Sequence, residues 1–157
     1  MRGKRAEKRK LEPDKLYSSR LIHRFINRLM KSGNKATAEV LVYKALDKIK
    51  ESGKDPIETF ETAVRNVSPR MEVRPRRIGG ASYQIPVEVK GDRRESLALR
   101  WIAANATARS NSKYKTMADK IAAELQDADA GTGGSIKKRD DSHRMAEANK
   151  AFAHFRW

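Results

Sequence analysis

The segment MEVRPRRIGGASYQIPVEV, Met71 to Val89, carries two signals at once: strand periodicity and positive charge. Met71 to Ile78 and Tyr83 to Lys90 alternate with the period of two that a strand requires, and Gly79-Gly80-Ala81-Ser82 separates them. A β-hairpin over residues 71–90 follows. Met71 and Val73 fall on one face, as do Tyr83, Ile85, Val87 and Val89. Pro75 and Pro86 each remove a ladder donor, so neither strand should have a second neighbour. A lone two-stranded ribbon is marginal in water and needs packing or a partner. This one carries Arg70, Arg74, Arg76 and Arg77 on its first strand side against Glu72 alone. It reads as a cationic finger.

On either side of the finger the period changes to that of a helix. Toward the N-terminus, Ser18 or Ser19 caps a helix over residues 19–31. Leu21, Phe25 and Leu29, with Ile22, Ile26 and Met30, form its apolar face. Arg20, Arg24 and Arg28 repeat every four residues beside that face, a ridge along which a phosphate backbone would relieve the mutual repulsion. Ser32-Gly33-Asn34 closes this helix. A second spans about Lys35 to Glu51, with Val40, Leu41, Ala45, Leu46 and Ile49 as its buried face, and Ser52-Gly53 stops it. Asp55-Pro56-Ile57-Glu58 combines a capping box with proline at the first helical position. The third helix runs through Phe60, Val64 and Val67 and ends before Pro69.

Beyond the finger, Asp92 to Glu95 reads as a capping box opening a fourth helix through Leu97, Trp101, Ile102 and Ala106. Ser110-Asn111-Ser112 is a break. Thr116 and Asp119 cap a fifth helix that turns Met117, Ile121 and Leu125 to the core. Residues 130–135, AGTGGS, read as a flexible hinge. A last helix from about Ile136 closes on Phe152, Phe155 and Trp157, either a satellite core or a docking patch. The expected fold is mainly α: about six helices in a single bundle-like domain, residues 19–157, with one protruding two-stranded hairpin. Residues 1–18 are expected to form a basic N-terminal arm, because MRGKRAEKRK has six basic residues, one acidic, and no apolar periodicity.

Charge narrows the partner. Lys and Arg number 35 against 20 Asp and Glu in 157 residues, a formal +15. That balance in a small chain calls for a polyanion, and nucleic acid supplies one, since each neutralised phosphate releases counterions. No apolar run approaches the ~18 residues of a membrane span, and no segment reads as a signal peptide. There is no cysteine, which excludes disulfides, thiolate metal sites and cysteine nucleophiles. His23, His143 and His154 lack metal-ligand spacing, and Gly131, Gly133 and Gly134 do not complete a phosphate loop. Asp140-Asp141 follows Lys137-Lys138-Arg139 and reads as charge compensation along a helix. Trp101 belongs with Leu97 and Ile102 in the core, whereas Tyr83 suits base contact and packing equally. An enzyme, a cofactor, a metal, a small-molecule substrate and a membrane partner are all disfavoured. The rivals are a nucleoid-type DNA-binding protein, with the hairpin as a minor-groove arm, and an RNA-processing enzyme.

Several segments carry a resemblance. The hairpin MEVRPRRIGGASYQIPVEV, the closing HRMAEANKAFAHFRW (His143 to Trp157), MKSGNKATAE (Met30 to Glu39) and ALRWI (Ala98 to Ile102) together resemble the small-subunit ribosomal protein seven family. The resemblance covers essentially the whole chain, and its length, without an archaeal-style extension or transit peptide, points to the bacterial or plastid type. Two departures stand out: Asn34 replaces a usual basic residue, and ATARSNSKYKTM (Ala106 to Met117) is more polar and less basic than usual.

The resemblance implies a cytoplasmic, non-enzymatic protein that binds small-subunit ribosomal RNA early in assembly and nucleates folding of the head. It implies a place at the subunit interface near the exit-site tRNA, with small-subunit proteins nine and eleven as neighbours; some members also repress their own messenger RNA. Carried over by position, Arg2, Lys4, Arg5, Lys8, Arg9, Lys10, Lys35, Arg74, Arg76 and Arg77 would bind ribosomal RNA. Arg94, Arg109, Lys113 and Lys115 would extend that surface. Gly79, Gly80, Ser82 and Tyr83 at the tip, with Arg144 and Met145 on the last helix, would face the tRNA.

Overall fold

A computed structural model describes Gly3 and residues 11–155 of the chain. The arm residues Arg2, Lys4, Arg5, Lys8, Arg9 and Lys10, and the terminal Trp157, lie outside the described residues. Among the described residues six α-helices run in order: α1 (Arg20–Leu29), α2 (Lys35–Glu51), α3 (Pro56–Val67), α4 (Gly91–Ala108), α5 (Met117–Asp129) and α6 (Gly133–Ala148). Strands β1 (Met71–Ile78) and β2 (Ala81–Glu88) stand between α3 and α4, and a 3-10 helix, Lys150–Phe155, follows α6. The protein is mainly α with one antiparallel two-stranded sheet, as the sequence predicts.

Local signals set most helix ends. Ser19 caps α1 by accepting from the Ile22 N–H. Asp55 accepts from the amides of Ile57 and Glu58 ahead of Pro56. Thr116 and Asp119 make a complete reciprocal capping box on α5. The core is built by Ile22, Phe25 and Ile26 of α1, Val42, Leu46 and Ile49 of α2, Phe60 and Val64 of α3, Leu99 and Ile102 of α4, and Ile121 and Leu125 of α5. Phe25 and Phe60 meet at 5.5 Å between ring centroids. Helix α5 touches α2, α3, α4 and α6, so it is the hub of the bundle. Trp101 is half-buried against this core.

Several expectations are corrected. The hairpin turn is two residues, not four: Gly79 and Gly80 have φ of 56° and 91°, and Ile78 pairs directly with Ala81. Two positive φ values in succession define the type I′ turn that matches strand twist. Helix α4 begins at Gly91 with Lys90 as its cap and no side-chain capping bond, so Asp92 and Glu95 form no capping box there. On α2 the buried stripe is Ala38, Val42, Ala45, Leu46 and Ile49, while Val40 is 49% exposed.

The presumed hinge at 130–135 is a packed joint. Gly133, Gly134 and Ser135 belong to α6, Ser135 is fully buried, and a Cβ on Gly134 would lie 2.8 Å from Asn105 Oδ1. Those glycines permit close approach rather than motion. Two of the three ridge arginines of α1 are turned toward α4: Arg24 pairs with Glu95 and donates to the Asp92 carbonyl, and Arg28 donates to Ser96 Oγ. At the other end of the arm, Asp14 is buried. It accepts from the amides of Leu16 and Tyr17 and from the Tyr43 hydroxyl at 2.7 Å, tying residues 14–17 to α2. Burial and that bond to Asp14 push the Tyr43 hydroxyl up to about 12.

Candidate nucleic-acid interface

The finger is positioned at its base and near its tip. At the base, Glu72 is buried in a strand otherwise rich in arginine. It accepts from Arg93 Nη2 at 2.7 Å and Nε at 2.8 Å, and from Arg74 Nε at 2.5 Å. Burial alone would raise the Glu72 carboxyl, but the Arg93 and Arg74 bonds outweigh it and hold it below the usual carboxylate range. Ser142 Oγ of α6 donates to the Met71 carbonyl, and the Arg70 N–H donates to His143 Nε2 at 2.9 Å. Near the tip, Tyr83 rests on Phe152 and Phe155 of the 3-10 helix. The question left open for Tyr83 is answered by packing, and the C-terminal aromatics Phe152 and Phe155 join the finger rather than stand apart from it.

Between these supports and just beyond the brace the charge is presented to solvent. Arg74, Arg76 and Arg77 are exposed, as are Gly79, Gly80 and Ser82. Arg76 pairs across the ladder with Tyr83, and Arg77 with Ser82. Paired residues share a sheet face, so Arg77 and Ser82 lie on the face away from the aromatic brace. Arg144 and Met145 are exposed on α6, the helix that packs against the hairpin base.

A second basic region gathers around the α1–α2 turn and the α4–α5 loop. Lys31 and Asn34 from the turn share one cavity with Thr107 and Met117 from the ends of the loop. Lys113 and Lys115 are exposed on that loop, and Lys35 Nζ lies 3.1 Å from His23 Nε2. Arg94 is half-buried and donates through Nε to the Pro69 carbonyl at 3.1 Å. Arg109 is different. Only 15% of its side chain is exposed, and it is held by Glu124 at 2.6 Å, by Asp127 and by the Tyr114 hydroxyl. Glu124 is itself buried and accepts from the Ser135 amide at 3.0 Å, which joins α4, α5 and α6 at one point. Arg109 therefore shapes the loop that displays Lys113 and Lys115.

Sequence reasoning missed Glu72, Arg93 and Glu124. The signal for Glu72 was present as a single acid in a cationic strand; nothing in the sequence pairs it with Arg93. Among the described residues there is no group of three or more metal-ligating side chains, and no helix is long and apolar enough to cross a membrane.

A helical body that holds out a braced arginine finger, with a lysine-bearing loop elsewhere on its surface, defines a nucleic-acid-binding protein. The family model described as Ribosomal protein S7p/S5e matches residues 1–150. The small ribosomal subunit protein uS7 of Desulfitobacterium hafniense (strain Y51) is 56% identical over 151 residues, covering 96% of this chain and 95% of the relative. That of Streptococcus equi subsp. zooepidemicus (strain MGCS10565) is 52% identical over 157 residues, covering 99% of each. The chain belongs to the S7p/S5e family of ribosomal proteins, RNA-binding structural components of the small subunit and not enzymes.

Proposed function

We propose that this chain binds small-subunit ribosomal RNA directly, nucleates assembly of the head, and lies at the subunit interface beside the exit-site tRNA. The observation that carries the reading is the finger, on which Arg74, Arg76 and Arg77 are exposed along a strand held by a salt-bridged base and an aromatic brace. Family membership supports it, as does the small-subunit name of the relatives. The finger arginines, with Lys35, Arg94, Lys113 and Lys115, contact phosphate and sugar and so position the RNA. Specificity comes from the shape of a folded RNA junction. Arg109 acts through the loop it holds. The basic residues Arg2, Lys4, Arg5, Lys8, Arg9 and Lys10 add affinity. Gly79, Gly80 and Ser82 at the tip that Tyr83 braces, with Arg144 and Met145, face the tRNA, and small-subunit proteins nine and eleven are the protein neighbours.

The test is fractionation joined to competition. The protein should sediment with small subunits through a high-salt wash, and unlabelled small-subunit ribosomal RNA should displace labelled RNA from it far better than duplex DNA does. Equal displacement by duplex DNA would favour a nucleoid-type role and sink the proposal.

A further inference from the structure

Arginines converge on a cavity at the base of the finger, apart from its exposed Arg74, Arg76 and Arg77 and from the basic loop. About 440 Å³ in volume, it is lined by Arg65, Asn66, Ser68, Arg70, Arg139 and His143. These come from the last turn of α3, the α3–β1 connection and α6. An adjoining cavity shares Arg65, Ser68 and Arg70 and adds Arg94 and Glu61. Hydrogen bonds orient three of the guanidinium heads: Arg139 donates to the Asn66 carbonyl at 2.6 Å, Arg65 to Thr62 Oγ1 at 3.2 Å, and Arg94 to the Pro69 carbonyl at 3.1 Å. Of the nearby acids, Asp140 is paired with Arg139 and Glu95 with Arg24, and Glu61 remains against Arg65, Arg70 and Arg94, so positive charge is in excess.

His143 senses that excess. Its Nε2 accepts the Arg70 N–H, so the neutral ring carries its proton on Nδ1. Burial, then Arg139, Arg70 and Arg94, hold it below its ordinary value, with Asp140 opposing. Every residue lining the cavity is polar. A peptide would find no apolar footing there, whereas planar guanidinium forks match phosphate oxygens two at a time.

We propose that this cavity is a phosphate-binding site whose occupant is a backbone phosphate of ribosomal RNA, held by the forks of Arg65 and Arg70 beside the Asp140-paired Arg139. The inference rests on the RNA-binding reading above and adds a contact that Arg74, Arg76, Arg77 and the loop lysines do not supply.

The test compares the full-length protein with the double variant Arg65→Ala, Arg70→Ala, both exposed side chains, and with a finger variant, Arg76→Ala, Arg77→Ala. Affinity for small-subunit ribosomal RNA is measured across a salt series. The cavity variant should bind about tenfold more weakly, with a log–log salt slope shallower by roughly 0.7 to 0.9 for one lost phosphate. In the wild type, inorganic phosphate and RNA should each shift the His143 ring resonances, and the double variant should lose both responses. The pair Arg65→Lys, Arg70→Lys, which keeps charge but not the fork, should recover only part of the affinity and controls for misfolding. If the cavity variant binds RNA as the wild type does while the finger variant weakens, the cavity proposal falls and the RNA-binding reading stands. If the wild type shows no salt-dependent RNA binding, both fall. A His143 response to phosphate or to an acidic peptide, without one to RNA, overturns RNA as the occupant.

Discussion

Tyr83 and Phe152 lie 5.3 Å apart between ring centroids, tilted by 54°, and so join the finger to the 3-10 helix near the end of the chain. Neither ring is fully buried. A tilted aromatic pair adds roughly 0.5 to 1.5 kcal/mol beyond area burial.

Phe152→Ala should therefore leave helix content by circular dichroism unchanged and lower Tm by only a few degrees. Amide exchange at Ser82 and Tyr83 should quicken. Unchanged exchange at the tip would show that the ladder alone holds the finger.

Glu72→Gln should weaken the base. It keeps the shape but leaves Arg93 and Arg74 without a counterion. Removing one partner of a buried pair costs about 3 to 5 kcal/mol; both arginines are half exposed, so about 1 to 2 is expected here after screening. Because the Glu72 carboxyl is depressed when folded, its contribution is present above its ordinary value of 4.5 and disappears as pH falls through the lower folded value. Urea titrations of both proteins at neutral and acid pH would measure this, and equal acid sensitivity would count against the clamp.

His143 predicts a second window. Its folded value is held below the ordinary 6.5, first by burial and then by Arg139. Its stabilising part is thus complete above 6.5 and is lost as pH drops through the folded value, where protonating Nε2 breaks the bond from the Arg70 amide. His143→Gln should flatten the pH dependence of unfolding just below 6.5. A parallel pH profile in that variant would remove His143 from the account.

Gly134→Ala should destabilise the protein although alanine is the better helix former. The new methyl would crowd Asn105, whose Nδ2 is already bonded to the Trp101 carbonyl at 2.8 Å. Overpacking costs about 1 to 3 kcal/mol, against less than about 1 gained from propensity. A raised Tm would show that Asn105 yields freely.

What the sequence made legible was what neighbours in the chain decide. The limits of α2, the Asp55-Pro56 start of α3 and the Thr116–Asp119 box depend on residues within one turn, and they appear as predicted. The exposed finger arginines were legible for the same reason. Illegible were choices made by distant partners. Glycine for freedom and glycine for close approach look alike in GTGGS, and Asn105 on another helix distinguishes them. Arg24 and Arg28 look like a solvent ridge until α4 supplies Glu95 and Ser96. Arg109 looks like a surface cation until Glu124 and Asp127 close on it.

The eight-residue strands have a mechanical consequence. From Glu72 to Gly79 the finger extends about 23 Å at the usual strand rise. As a cantilever pivoting at Glu72, a swing of about 10° would carry its tip some 4 Å, more than a hydrogen bond can follow. The Tyr83 brace converts the cantilever into a beam held at its base and again near its tip. Small slackening at the base is then not magnified at the brace, so Arg74 and Arg76 keep a fixed spacing from the helical body, and only the short overhang from Arg77 through the turn extends past it.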